Sequence, residues 1–277
     1  MFFKTLINSI LKKLNYIIIN ISPTLSNNNF NEIIKFLLQD EIFQLKDTKK
    51  IIPPISQKKI LVFDVGSNFG QSIERFSSIF HNCVIFSFEP NKSNYKILEK
   101  KYLKKKNIFL SNLALSDIEQ EINFFNYPYG SSSFLKFDMN SAAFKRRQAI
   151  FLKENPKKSF ENVDKVKTNT LDKFCEKNLI DKIDVLKIDT QGHEAEVLNG
   201  AIQMLTKQRI KVVELEEMNN FSYIDDKKKI ATDILKRMGY HIIAIDKSGN
   251  SIVDYEFQHN IIFVCSELKN KIKKYHE

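Results

Sequence analysis

Tryptophan is absent from this chain, and 277 residues carry only three cysteines, six prolines and seven glycines. Hydrophobic residues at 43% and charged residues at 27% sit near ordinary globular usage. Together these values exclude collagen, a wholly disordered chain and a coiled coil. Cys83, Cys175 and Cys265 are far apart, odd in number and free of CxxC spacing. That excludes a disulfide framework and a cysteine zinc site, and a reducing, cytoplasmic home is the expectation. Arginine is scarce too: five against 38 lysines, within a balance of 43 basic and 33 acidic side chains, or +10. A nucleic-acid surface more often uses arginine forks with interleaved aromatics, so no nucleic-acid partner is expected. The run Lys100, Lys101, Lys104, Lys105, Lys106 reads as a solvated face.

Long apolar runs are missing as well. Residues 1–21 are apolar but broken by Lys4, Asn8, Lys12, Lys13 and Asn15. No span reaches the roughly 20 residues a bilayer crossing needs, and no small-residue cleavage site marks a secretory signal. Packing against the domain is the simpler reading of 1–21, peripheral membrane contact the sharper one. A second amphipathic helix is expected near Phe30 to Phe43, and Pro53 and Pro54 end this extension, residues 1–56.

From residue 57 to 277 the pattern changes to short apolar runs alternating with helix-period segments, the mark of buried parallel strands joined by crossover helices. Strands are expected at Ile60 to Val65, Val84 to Glu89, Ile108 to Asn112, Val185 to Asp189 and Lys211 to Glu216. Helical stripes fall on Ile73, Phe76 and Phe80, on Tyr95, Leu98 and Tyr102, and on Val197, Leu198, Ala201 and Leu205. Tyr240 to Ile245 and Asn260 to Val264 read as an antiparallel closing pair with a turn at Lys247 to Asn250. The fold class is therefore α/β, a doubly wound sheet. Residues 117–170 interrupt the order with a strand-like EINFFNYP, a turn-rich GSSS and a helical stretch holding Lys145, Arg146 and Arg147. This segment is expected over the strand ends, where substrate choice tends to reside. Its basic cluster is either a grip for an anionic acceptor or a solvated face.

The first strand runs through Asp64 into Gly66, Ser67, Asn68, Phe69 and Gly70 before a helix, a loop that lets backbone pass close to a ligand. It is neither GxGxxG nor a P-loop, which argues against a dinucleotide oxidoreductase and an NTPase. Glu89 ends the second strand, where a carboxylate can accept from vicinal ribose hydroxyls. Lys187 lies inside an apolar strand, and pairing with Glu214 or Glu216 next door is expected to offset its desolvation.

The segments VFDVGSNFG, FSFEP, SNLALSD, TNTLDKF, DVLKIDTQGHEAEVLNGA and VVELEE, in this order over roughly residues 60 to 217, resemble the FkbM-family S-adenosylmethionine-dependent methyltransferases. The resemblance implies a mostly parallel seven-strand, Rossmann-like sheet and O-methylation of a hydroxyl, usually on a sugar or natural product. It implies Asp64, Gly66, Asn68 and Gly70 around the methionine part of S-adenosylmethionine, Glu89 on its ribose, and Asn112 to Ala114 near the adenine. For the proton leaving the acceptor hydroxyl, Asp189 or His193 is the candidate base, and Asp189 can equally orient the acceptor. A metal on Asp189, His193 and Glu216 fits in ligand type but matches no metal spacing, and none is expected. A catalytically silent S-adenosylmethionine-binding module is the alternative function.

Overall fold

The computed structural model describes residues 27–38, 59–219, 230–250 and 257–274. Expectations for residues 1–21, including membrane contact, and for most of the 1–56 extension lie outside the described residues. Among the described residues no helix is long and apolar enough to cross a membrane.

The strands are β1 (Ile60–Val65), β2 (Cys83–Phe88), β3 (Ile108–Ser111), β4 (Ala114–Leu115), β5 (Glu121–Asn126), β6 (Asn162–Asn169), β7 (Ile183–Ile188), β8 (Ile210–Asn219), β9 (His241–Asn250) and β10 (Phe257–Val264). The helices are α1 (Asn27–Leu38), α2 (Gln71–Ile79), α3 (Lys92–Tyr102), α4 (Ala142–Glu154), α5 (Leu171–Lys177), α6 (Glu194–Asn199), α7 (Ile202–Thr206), α8 (Ile230–Arg237) and α9 (Ser266–Lys274). Seven strands form one sheet in the order β3-β2-β1-β7-β8-β10-β9. The first five are mutually parallel, and β10 runs antiparallel to β8 and β9. Every residue of β7 is buried, as its apolar run requires of a central strand covered on both faces. Between β1 and β7 the strand order reverses direction, which opens a crevice beyond the carboxyl ends of those strands.

The helical stripes meet this sheet. Ile73, Phe76, Phe80, Leu98, Tyr102, Val197, Leu198, Ala201 and Leu205 all enter the main core. The third stripe is two helices rather than one. At the break, a Cβ on Gly200 would lie 1.9 Å from the Ser116 carbonyl oxygen, so the chain can approach β4 only without a side chain there. In α1, which ends at Leu38, the buried Ile33, Ile34, Leu37 and Leu38 join the same core. A helix this short is marginal alone, and burial at about 1.5–3 kcal/mol per such side chain accounts for its order.

One turn expectation is overturned. Residues Lys247 to Asn250 continue β9, and Asn250 pairs with Phe257. The polar run stays extended because β10 supplies its ladder partners, which local turn propensity does not register. β1 matches its expected range, and apart from that end of β9 the other strand ends differ from expectation by no more than three residues.

Residues 117–170 supply β5 and β6, which join β4 in a second, three-stranded sheet in the order β4-β6-β5. β5 and β6 are antiparallel, from Glu121 opposite Lys167 to Asn126 opposite Asn162. Tyr127, Phe137, Phe144 and Phe160 form a small aromatic core separate from the main one, and Ser141 caps α4 by accepting from Phe144 N.

Candidate active site

Beyond β1 the backbone turns through positive φ at Gly66 (84°), Asn68 (50°) and Gly70 (87°). A Cβ on Gly66 would sit 1.8 Å from the Asp189 carbonyl oxygen, so glycine there lets the exits of β1 and β7 touch. A Cβ on Gly70 would sit 2.6 Å from the Tyr102 hydroxyl, which donates to the Gly70 carbonyl. Gly70 therefore serves the packing of α3. The loop is drawn to β2 by Glu89: Asn68 N donates to Oε2 at 2.7 Å and Asn91 N to Oε1 at 2.8 Å. Burial pushes the Glu89 carboxyl up to about 7 in spite of these two amides.

Below the loop, register aligns polar residues across one face of the sheet. Asp64 lies opposite Ser87 on one side and Lys187 on the other, and Lys187 lies opposite Glu214. The expected pairing of Lys187 with Glu214 or Glu216 is corrected here. Lys187 Nζ is 3.0 Å from Asp189 Oδ2 and 3.7 Å from Asp64 Oδ1. Glu214 is taken by Arg75 of α2, whose Nη2 reaches both carboxylate oxygens at 2.8 and 2.9 Å. One guanidinium nitrogen thus serves both oxygens of that carboxylate, and Nη1 donates to Asn31 Oδ1, so Arg75 takes the place expected for the ammonium. Burial pushes Lys187 toward neutrality, but Asp189 and Asp64 outweigh it and hold the ammonium above its ordinary range. Asp64 is fully buried, and among the described residues neither of its carboxylate oxygens has a hydrogen-bond partner. Burial raises its pKa against the opposing charge of Lys187.

Past β7 the chain makes a tight polar loop. Glu194 at the start of α6 accepts from Thr190 N, Thr190 Oγ1 and Gly192 N. That fixes Gln191 at φ 56° with its Nε2 donating to Asp189 Oδ1 at 3.0 Å and to Glu216 Oε2 at 2.9 Å. Burial pushes Asp189 up, but Lys187 and the hydrogen bonds from Glu216 and Gln191 hold it at about 2. Desolvation and the charge of Asp189 push Glu216 well above the usual carboxylate range.

The crevice is open to solvent, and its empty space, open solvent included, is about 630 Å³. Gly66, Asn68, Glu89, Ala114 and Asp189 line it, as do Leu113, Leu115, Thr190 and Gln191. Its remaining wall comes from β5 and the turn that follows: Phe124, Gly130, Ser132 and Phe134. This turn is tied down from several sides. Ser133 Oγ donates to the Gln191 carbonyl at 2.6 Å, and Arg147 Nη1 donates to Ser131 Oγ at 3.0 Å. Gly130 approaches Asn68 so closely that a Cβ would fall 2.3 Å from Nδ2.

Four candidate residues are placed outside the lining. Asp64 lies beneath it in the charged row and Gly70 lies under α3. Asn112 Nδ2 braces the carbonyls of Glu89 and Pro90. His193 is buried, with Nε2 2.9 Å from Ser116 Oγ and its ring 4.4 Å from that of Phe134. Sequence reasoning missed Phe124 and Phe134. The strand-like EINFFNYP, which holds Phe124, and the turn-rich GSSS marked this stretch without singling out either ring.

A five-strand parallel sheet closed by an antiparallel pair, with a glycine loop after β1 and an acid after β2 at the switch point, defines a Rossmann-like methyltransferase. The chain belongs to the FkbM methyltransferase family: the sequence model of the Methyltransferase FkbM domain matches residues 64–242. It is similar to the 2-O-methyltransferase NoeI of Sinorhizobium fredii, 26% identical over 60% of this chain and 67% of that one. It is also similar to the hexuronic acid methyltransferase AglP of Haloferax volcanii, 22% identical over 71% of this chain and 77% of that one. A crystal structure of a methyltransferase FkbM from Methylobacillus flagellatus has a TM-score of 0.45 at 11% identity, spanning 73% of this chain and 43% of that one.

Proposed function

We propose that this enzyme transfers a methyl group from S-adenosylmethionine to a hydroxyl of a sugar, in a glycan or its precursor. The single observation that carries the reading is the crevice itself: a buried ribose-type acid, Glu89, and a charged floor at Asp189 share one cavity. The residues fit the cofactor. Asp64, beneath the crevice, has no hydrogen bond to either carboxylate oxygen among the described residues and stands 3.7 Å from Lys187. Glu89 accepts only one backbone amide on each oxygen among the described residues, which leaves lone pairs for ribose hydroxyls. Leu113, Ala114 and Leu115 supply an apolar wall for a base. The two relatives named for sugar methylation support the acceptor class. Buried free thiols at Cys83, Cys175 and Cys265 fit a cytoplasmic enzyme.

The bound cofactor supplies a methyl group on a positively charged sulfur, already activated for displacement. The chain's own task is alignment and removal of one proton. Asp189 keeps 30% of its side chain exposed toward the crevice and stands as the proton acceptor. His193, behind Phe134, supports the wall. The experiment is calorimetric titration with S-adenosylmethionine and NAD, followed by transfer assays on methyl glycosides of glucuronic acid and neutral hexoses. Binding of NAD in place of S-adenosylmethionine overturns the reading. Tight S-adenosylmethionine binding without transfer to any hydroxyl favours the silent binding module.

Glu89→Ala is expected to weaken S-adenosylmethionine binding at least about tenfold, since charged hydrogen bonds are worth about 1.5–3 kcal/mol. Because the Glu89 carboxyl sits at about 7 and only its ionised form accepts from both hydroxyls, affinity should fall as pH drops below that value. Glu89→Gln should bind weakly with no such slope. A folded Glu89→Ala protein with unchanged affinity removes the ribose assignment.

Replacing Arg146 and Arg147 together with Gln is expected to raise KM for a glucuronide acceptor while cofactor affinity stays constant. Arg147 steadies Ser131 in the turn that walls the crevice, and it lies 5.6 Å from the Phe137 ring. Unchanged acceptor kinetics in that double variant would leave the pair as surface charge.

A further inference from the structure

Asp189 follows the last residue of β7 and Glu216 lies within the adjacent parallel β8, each one step beyond the register pair Ile188 and Leu215. That step sets their carboxyl groups side by side at the foot of the crevice. A single amide spans both: Gln191 Nε2 reaches Asp189 Oδ1 at 3.0 Å and Glu216 Oε2 at 2.9 Å. Two carboxyl groups crowded onto one amide nitrogen repel each other when both are ionised, which favours one proton held between them. The neighbouring charges decide where it resides. Lys187 Nζ sits on Asp189 Oδ2 at 3.0 Å, with Asp64 on its other side at 3.7 Å. Arg75 is committed to Glu214, and Glu194 of α6 adds further negative charge near Glu216. The cation thus favours the charged form of Asp189, and the proton falls to Glu216.

We propose that Glu216 is a positioning residue: as the neutral member of a proton-sharing pair it donates to Asp189 and, with the Gln191 clamp, holds Asp189 as an ionised acceptor facing the crevice. The pair rests on the shared amide, the strand register and the ammonium on Asp189; what Asp189 accepts, the acceptor's hydroxyl proton, rests on the methyltransferase reading. The arrangement gives a reason for the strained backbone of Gln191, whose positive φ is uncommon for a non-glycine residue. Lys187, Gln191 and Glu216 then occupy three directions around one carboxylate, leaving its remaining lone pairs for a substrate.

Infrared difference spectroscopy at neutral pH tests the pair without any acceptor. The parent minus Glu216→Gln is expected to show loss of one neutral carboxylic-acid carbonyl stretch and no loss of carboxylate absorption. Loss of a carboxylate band instead overturns the proposal. Gln191→Ala, a change at the crevice surface, provides a second test should Glu216→Gln fold poorly. Its acid band should shift as the clamp is removed, and an unmoved band overturns the proposal. With methyl glucuronide as acceptor, Gln191→Ala should lower kcat about tenfold or more with both KM values unchanged, and an unaltered kcat would count against it. A parent protein that does not bind S-adenosylmethionine sinks the methyltransferase reading while leaving the infrared outcome to decide the pair.

Discussion

Lys187→Met is expected to lower the free energy of unfolding by about 3–5 kcal/mol at neutral pH, read from urea denaturation with far-ultraviolet circular dichroism. Methionine fills nearly the same space, so the loss is electrostatic. Asp64 has no hydrogen bond to either carboxylate oxygen and Lys187 is the cation nearest it, at 3.7 Å. Removing the ammonium leaves Asp64 and Asp189 facing each other across the exits of β1 and β7. The pH dependence carries a sign. In the parent, Asp189 is held at about 2, below its unfolded value, so its contribution is present above about pH 4 and fades as pH falls toward 2. Lys187 itself is raised, so its contribution is complete at neutral pH and fades only under strongly alkaline conditions. In Lys187→Met both carboxyls lose the charge that lowers them, and the folded state then binds protons more readily than the unfolded one. Its deficit should therefore shrink as the solution is acidified from pH 8 to pH 5. Glu214→Gln, which disturbs the Arg75 pair instead, should show no comparable recovery. A Lys187→Met protein as stable as the parent, but inactive, would make the lysine part of the chemistry.

Asp189→Asn is expected to reduce methyl transfer by about 10²–10⁴-fold, the range for loss of a general base, with S-adenosylmethionine affinity within a few-fold of the parent. The amide keeps the shape and one acceptor oxygen but cannot take the proton. A carboxylate held at about 2 is a weak base in water, yet it suffices here, because a hydroxyl oxygen becomes strongly acidic as it gains a methyl group. This gives the pH profile a distinctive form. Between pH 5 and 7 kcat should show no acid limb from Asp189, while KM for the cofactor rises below about 7 through Glu89. An acid limb in kcat itself would instead point to His193 as the base. His193→Phe, which keeps a ring against Phe134, should retain most of its transfer rate. Loss comparable to that of Asp189→Asn would return the role to the histidine.

By itself the sequence determined the sheet's parallel strands, the covering stripes, the closing antiparallel pair and the glycine loop with Glu89, because each is written in local periodicity or in a few adjacent residues. β1 was legible to the residue, since an unbroken apolar run bounded by a glycine loop has one reading. The membership of 117–170 in the crevice wall was legible only as an interruption; which of its residues point inward depends on how β5 pairs with β6. Tertiary structure alone decided the partners of the charges. Lys187 had two acids on the expected neighbouring strand, but a guanidinium arriving from α2 claimed Glu214, and the carboxyl of Asp189 lay within reach on the same face. The joining of Asp189, Gln191 and Glu216 was hidden for the same reason. Residues 25 or more positions apart meet only once strand register and a loop of positive φ have set their directions, and neither quantity is encoded in spacing along the chain.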